Sequence, residues 1–295
     1  MAPNAIQRFV KAIKELSPAA ALDRFRKGES PFMLGGRGYK VDGFGLDEVY
    51  TKRIEPLLDF LFEDYFRVEM DGLSNLPDHG PALIVSNHAG MLPLDALMLA
   101  YGVHKRHSDE RVVRCLLEDF YMRAPFLSPF LTRLGMVRAH RENAARLLST
   151  GHLVGVFPEG QKAAIKNYSQ RYQLGRFGRG GFVKLAVDAD VEIIPCAIVG
   201  SEETYPVIND MQWLGRRLGF NAWPITLTFP LLGPLGIVPL PSKWMIQFEK
   251  PIDPQKHLSG EDDDIGIHRL KEEVRTRIQW MIHDLLSQRD SVWFG

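Results

Sequence analysis

Residues 84–97 read IVSNHAGMLPLDAL. The stretch opens as a buried-strand run, breaks at Ser86-Asn87-His88, crosses a turn carrying Gly90 and Pro93, and resumes as a Leu-rich run. A strand that yields to a helix across a short polar turn is the repeating unit of a parallel α/β sheet. The same unit recurs downstream. LDALMLAYGVH reads as a helix and RVVRCLLE as a strand; FLSPFLTRLGMVRAH is helix then strand, and RENAARLLSTG a helix ended by Gly151. HLVGVFPEG is a strand entering a turn, GRGGFVKLAVDAD a glycine-opened helix, and VEIIPCAIVG a second buried strand. KWMIQFEKPID is a late strand, followed by a final helix over about 264–287. The alternation predicts an α/β fold: a mostly parallel or mixed sheet flanked by helices on both faces.

Upstream, residues 1–66 read as a helical extension to an α/β domain over 67–295. Ile6, Phe9, Val10, Ile13 and Leu16 recur at helical spacing with Arg8, Lys11 and Lys14 between them. This amphipathic helix either docks on the domain or touches a membrane surface. After the glycine-rich LGGRGYKVDGFG, the run LDEVYTKRIEPLLDFLFEDYF is again helical.

Composition narrows the class. The chain has 295 residues, 36 basic and 36 acidic, and a formal net charge of +0. That balance argues against a nucleic-acid binder. Its 2 cysteines, Cys115 and Cys196, sit in apolar runs and read as buried thiols, without metal-ligand spacing; a reducing compartment is expected. The N-terminus lacks the continuous apolar core of a signal peptide. One segment is unusually apolar: FNAWPITLTFPLLGPLGIVPLP, residues 220–241, with five prolines. That proline density forbids a regular spanning helix. The segment is either a buried hairpin or an apolar surface that enters one leaflet.

Ligands of such sheets bind outside the carboxyl ends of the strands. His88 follows one strand and Glu159 another, so both are expected on one rim. His88 is a turn residue or a base; Asp95 is a helix N-terminal carboxylate favoured by the dipole, the orienter of His88, or both. Gly155 and Gly160 have P-loop separation, but Gln161 and Lys162 stand where Lys and Ser or Thr belong, so that motif is rejected. Lys162 and Lys166 remain as cations near Glu159. Arg171, Arg176, Arg179 and Lys184 surround glycines that open a helix, an arrangement suited to an anion or to a plain basic face. Arg138 and Arg141 add to the same rim. His104 and His107 read as a solvated loop. No Gly-x-Ser-x-Gly nucleophile elbow is present.

Taken together and in order, SNHAGMLPLD, GMVRAHREN, VFPEGQK and IIPCAIVGSEE resemble the four blocks of the lysophospholipid (1-acylglycerol-3-phosphate type) acyltransferase family, within the wider glycerolipid acyltransferases. The resemblance covers about residues 66–255. It implies the corresponding fold and O-acyl transfer from acyl-CoA or acyl-ACP, a co-substrate and not a cofactor, to a lysolipid hydroxyl. It implies His88 as general base, Asp95 as its orienter, and no metal. Asn87, Glu159, Gly160, Lys162, Arg176 and Arg179 are the expected substrate-binding positions, with Arg138 as phosphate partner and Pro195 shaping the fourth block. The expected partners are the lipid bilayer surface, a lysolipid and the acyl carrier, with the protein peripheral on the cytoplasmic face. The alternatives are a lipid or thioester hydrolase, or an acyltransferase with a neutral or non-glycerol acceptor.

Two positions depart from the family pattern. Six residues separate His88 from Asp95, more than is usual. On a continuous helix that spacing alone would set the pair about 10 Å apart. The AGMLPL loop must therefore fold back, with Pro93 in the first turn. Gln161-Lys162 replaces Thr-Arg, which keeps the charge and loses the bidentate fork.

Overall fold

The computed structural model describes residues 7, 10, 41–90, 92–125, 127–160, 163, 166–211, 223–258 and 263–294. Of the expected N-terminal amphipathic helix, only Gln7 and Val10 are described, both helical and exposed; the rest lies outside the described residues. Lys162 lies outside them as well.

The helix read over LDEVYTKRIEPLLDFLFEDYF is present as α1, Glu48–Asp59, running into a π-helical turn, Phe60–Tyr65. Asp47 caps it by accepting the Tyr50 N–H at 2.9 Å. The sheet follows with β1 (Glu69–Asp71), β2 (Ala82–Ser86), β3 (Val113–Leu117), β4 (Val137–Arg138), β5 (Leu153–Val156), β6 (Ile193–Val199) and β9 (Met245–Phe248). Its order is β1-β9-β6-β2-β5-β3-β4. Every pairing is parallel except β6 with β9. Helices α2 (Leu94–Arg106), α3 (Asp119–Arg123), α4 (Leu127–Arg133), α5 (Arg141–Ser149), α6 (Gly181–Ala189), α7 (Ser201–Thr204), α8 (Pro254–Leu258) and α9 (Asp263–Gln288) surround it.

The pleat explains why the strands read as unbroken apolar runs. On β2, Ala82 and Ile84 pack into one core with α1 and α2, while Leu83 and Val85 pack into a second core with α5, α6 and α9. On β6, Ile194, Cys196 and Ile198 face the first core; Ile193, Ala197 and Val199 face the second. Both of these strands are buried on both faces, so alternation with polar residues disappears from them. Cys115 and Cys196 are buried free thiols, as read from their neighbours.

The proline-rich segment is not a buried hairpin: it supplies one strand of a pair whose other strand lies upstream of it. A second sheet of two strands, β7 (Val207–Met211) and β8 (Trp223–Thr226), carries it as an antiparallel pair. Beyond β8 the chain forms a lobe with a short 3-10 turn, Gly233–Ile237, and Leu231 and Leu235 stand 79% and 71% exposed. Among the described residues no helix is long and apolar enough to cross a membrane.

Candidate active site

The AGMLPL loop folds back. Leu94 N–H bonds the Leu92 carbonyl at 2.8 Å, Pro93 occupies the position before α2, and Asp95 falls in its first turn. Gly90, at φ +95°, makes the reversal in a region that a side chain disfavours. The result brings Asp95 Oδ2 to 2.6 Å from His88 Nδ1. The same oxygen accepts the Ala89 N–H at 3.0 Å, and Oδ1 accepts the Ala96 N–H at 2.8 Å. Asp95 thus serves both readings: a carboxylate at a helix N-terminus and the partner of His88. It is fully buried, so its charge acts on the imidazole with little screening.

His88 is also buried, which by itself lowers the basicity of the ring; the carboxylates of Asp95, Glu118 and Glu159 outweigh that and hold its pKa above the ordinary histidine value. Phe157 packs on the imidazole with centroids 5.3 Å apart, and the Tyr121 ring meets it edge-on at 6.5 Å. With Nδ1 taken by Asp95, Nε2 is the remaining ring nitrogen. The residue lines a cleft of about 410 Å³ between the ends of β3 and β5 and helices α5 and α6. Leu116, Leu117, Val156, Phe177, Phe182 and Leu185 make that cleft largely apolar. His140, Arg141 and Arg179 add nitrogen-bearing side chains, and the glycine-opened start of α6 contributes Gly181.

The other predicted positions divide. Gly160 lines the cleft at φ +65°; a Cβ there would come within 3.0 Å of Glu118 Oε1. Arg179 lines it too. Glu159 stands at the junction, but its oxygens hold backbone: Oε1 accepts the His88 N–H at 3.3 Å and Oε2 the Gly175 N–H at 2.7 Å. Lys166 lies between Glu159 and Glu202, at 3.6 and 3.4 Å. Burial pushes the Glu202 carboxyl up to about 7, with Lys166 pulling the other way. Glu159 is therefore a tie between the His88 turn and the Gly175 loop, not a group open to a substrate hydroxyl.

Asn87 is likewise turned inward. Its amide donates to the Ile198 carbonyl and accepts the Ile198 N–H, both at 2.8 Å, and the residue is buried. Both bonds of its amide thus go to the main chain of β6 rather than to the cleft. Arg138 forks onto Asp119, with Nη2 to Oδ2 at 2.6 Å, and is not among the residues that line the cleft. Arg141, three residues on, lines it instead while also reaching Asp188 at 2.5 Å. Arg176 is exposed and away from the lining. His107, read from sequence as solvated, is buried as the cap of α2. Its Nδ1 accepts the Asp109 N–H at 3.2 Å, which places the proton on Nε2, toward Asp78 at 3.8 Å. Asp78, His107 and Asp109 thus gather at the C-terminal end of α2.

Residues 67–199 match the family model described as Acyltransferase, a span that holds His88, Asp95 and every other predicted site residue. An uncharacterized protein of Mycobacterium leprae is 44% identical over 259 residues, 87% of this chain and 71% of that protein. A Homo sapiens protein described as a DGAT1/2-independent enzyme synthesizing storage lipids is 28% identical over 168 residues, 55% of this chain and 50% of its own. The 1-acyl-sn-glycerophosphate (LPA) acyltransferase PlsC of Thermotoga maritima has the same fold at TM-score 0.52 and 16% identity, covering 98% of this chain and 100% of that one. The chain belongs to the acyltransferase family, and it is an acyltransferase enzyme.

Proposed function

We propose that the protein moves a fatty acyl group from acyl-CoA or acyl-ACP to the hydroxyl of a lysophospholipid or related lysolipid at a membrane surface. The acceptor hydroxyl gives its proton to His88 Nε2 as its oxygen attacks the thioester carbonyl. Asp95 keeps the other proton on Nδ1 and stabilises the imidazolium that forms. The tetrahedral intermediate then expels the thiolate, the C–S bond breaks, and His88 returns the proton to sulfur. An ester and a free thiol result, and the base is restored. The 2.6 Å contact between His88 Nδ1 and a fully buried Asp95, at the wall of an apolar cleft, is the observation that carries this reading.

The apolar walls suit lipid chains, and Arg141 and Arg179 suit a phosphate, whether on the acceptor headgroup or on the carrier. The test is consumption of labelled acyl-CoA with a panel of lysolipids present or absent. Acceptor-dependent formation of a diacyl product supports transfer. Release of free fatty acid at the same rate without any acceptor would assign the site to hydrolysis instead.

A further inference from the structure

The hairpin lobe after β8 combines two properties that rarely meet on a soluble surface. Outside it is apolar: Leu227, Leu231, Leu232, Leu235 and Val238 are all more than half exposed, and the sequence holds no charged residue from 223 to 242. Inside it, much of the polar backbone is bonded within the lobe. The N–H groups of Leu232, Gly233, Leu235 and Val238 bond carbonyls of Thr228, Pro230, Leu232 and Leu235 within the lobe. Pro230, Pro234, Pro239 and Pro241 have no N–H to satisfy. The side chains of Thr226 and Thr228 turn inward, to the Phe229 N–H at 2.9 Å and the Gly236 carbonyl at 3.1 Å. Irregular backbone survives in hydrocarbon only when its polar groups are satisfied from within, since an orphaned one costs several kcal/mol there.

The base of the lobe has a different character. Arg67 donates to the Pro241 carbonyl at 3.1 Å and to the Trp293 carbonyl at 2.7 Å, which sets the exposed Trp293 and Phe294 beside it. An apolar tip above a collar of cation and aromatic rings matches the layering of a membrane interface. An uncharged apolar run whose backbone bonds are largely internal suits a fluid leaflet, which offers no polar groups of its own.

From these contacts we infer that residues 227–238 insert into one leaflet of the bilayer and that this insertion sets the catalytic turn at the lipid surface. The inference rests on the lysolipid reading for its purpose but not for its observations. The linkage to the site is short. Tyr205 donates its hydroxyl to the Ile237 carbonyl at 2.7 Å, and a methyl group on Gly90, two residues from His88, would lie 3.7 Å from the Tyr205 ring. Leu227 N–H to the Pro206 carbonyl and Leu240 N–H to the Thr204 carbonyl fasten both ends of the lobe to the same short segment.

The experiment uses the full chain, neutral phosphatidylcholine vesicles and high salt, with a Leu231→Ser/Leu232→Ser/Leu235→Ser variant whose melting temperature is checked against wild type. Wild type is expected to float with the vesicles, and the variant's partitioning to fall on the order of a hundredfold through loss of buried apolar area. Transfer to vesicle-embedded lysolipid falls with it, while transfer to a micellar short-chain lysolipid stays unchanged. A folded variant that still floats like wild type overturns the proposal. So does a variant that changes only from dimer to monomer, since the lobe would then be a contact between copies. A single Leu231→Trp variant gives a second readout: its fluorescence should be quenched by lipids brominated in the acyl chain, and an unquenched spectrum sinks insertion. Floating of wild type without acyl transfer to any acceptor would strike the functional reading and leave the lobe's role standing.

Discussion

Two buried histidines bracket α2, and only one has the surroundings of a base. His88 precedes the helix and gives Nδ1 to a carboxylate that is itself fully buried. His107 closes the helix, and its Nδ1 takes a backbone N–H; the nearest acid, Asp78, is 67% exposed by its side chain and 3.8 Å from Nε2. The residue types are the same and the burial is similar. What differs is which ring nitrogen the protein occupies and what surrounds the other: His88 lines a largely apolar cleft, whereas His107 lines a pocket with Asp78, Arg106 and Ser108. A histidine with Nδ1–H held by an unscreened carboxylate keeps a basic lone pair on Nε2. One whose Nδ1 accepts keeps a proton there and serves as a cap.

Substitutions at the two ends should therefore diverge. His88→Ala is expected to lower kcat/KM by roughly a thousandfold with the fold retained, measured as acyl transfer beside a melting curve. Asp95→Asn follows, with a loss on the order of a hundredfold. It also shifts the pH profile. The active form of His88 is neutral, so activity in wild type falls as pH drops through a pKa held above the ordinary histidine value. Removing the Asp95 charge takes away the leading contribution that opposes burial, and the acidic limb should move to lower pH while the plateau drops. An unmoved limb would mean that another group controls it. Glu159→Gln keeps the shape but weakens a tie between two loops; about a tenfold loss is expected, mostly in kcat, since misplacement of the base is the cause. His107→Ala closes the series, with activity within about twofold and a destabilisation of roughly 1–3 kcal/mol by thermal unfolding. A large catalytic loss at His107 would break the contrast.

β2 and β6, which bury both faces, were readable because their runs are apolar, and the order of motifs along the sheet placed His88 and Glu159 on one rim. The spacing of His88 and Asp95 even forced the fold-back, since a continuous helix would have parted them. Other features left no trace in sequence. Whether Arg138 or Arg141 enters the cleft depends on how a two-residue edge strand is turned, and both residues sit in the same basic run. Glu159 looked like a substrate contact because its backbone partners, His88 and Gly175, are distant in the chain. His107 looked solvated among charged neighbours, yet the end of α2 packs down and covers it. β9, parallel to β1 and antiparallel to β6, reaches its slot between them from far along the chain, a pairing that periodicity does not report.

Asn87 carries a consequence for how this site can vary. Its amide repeats the donor and acceptor of a peptide unit, so the pairing of β2 with β6 continues one step after the main chain has turned away. The far side of the turn is moored independently, where Asp95 enters α2. With both abutments fixed, the span between them can lengthen or shorten without moving the base from its partner. The six-residue span here is one such arch, and its crown is where a change in length would reshape the room for an acceptor and leave the proton transfer intact.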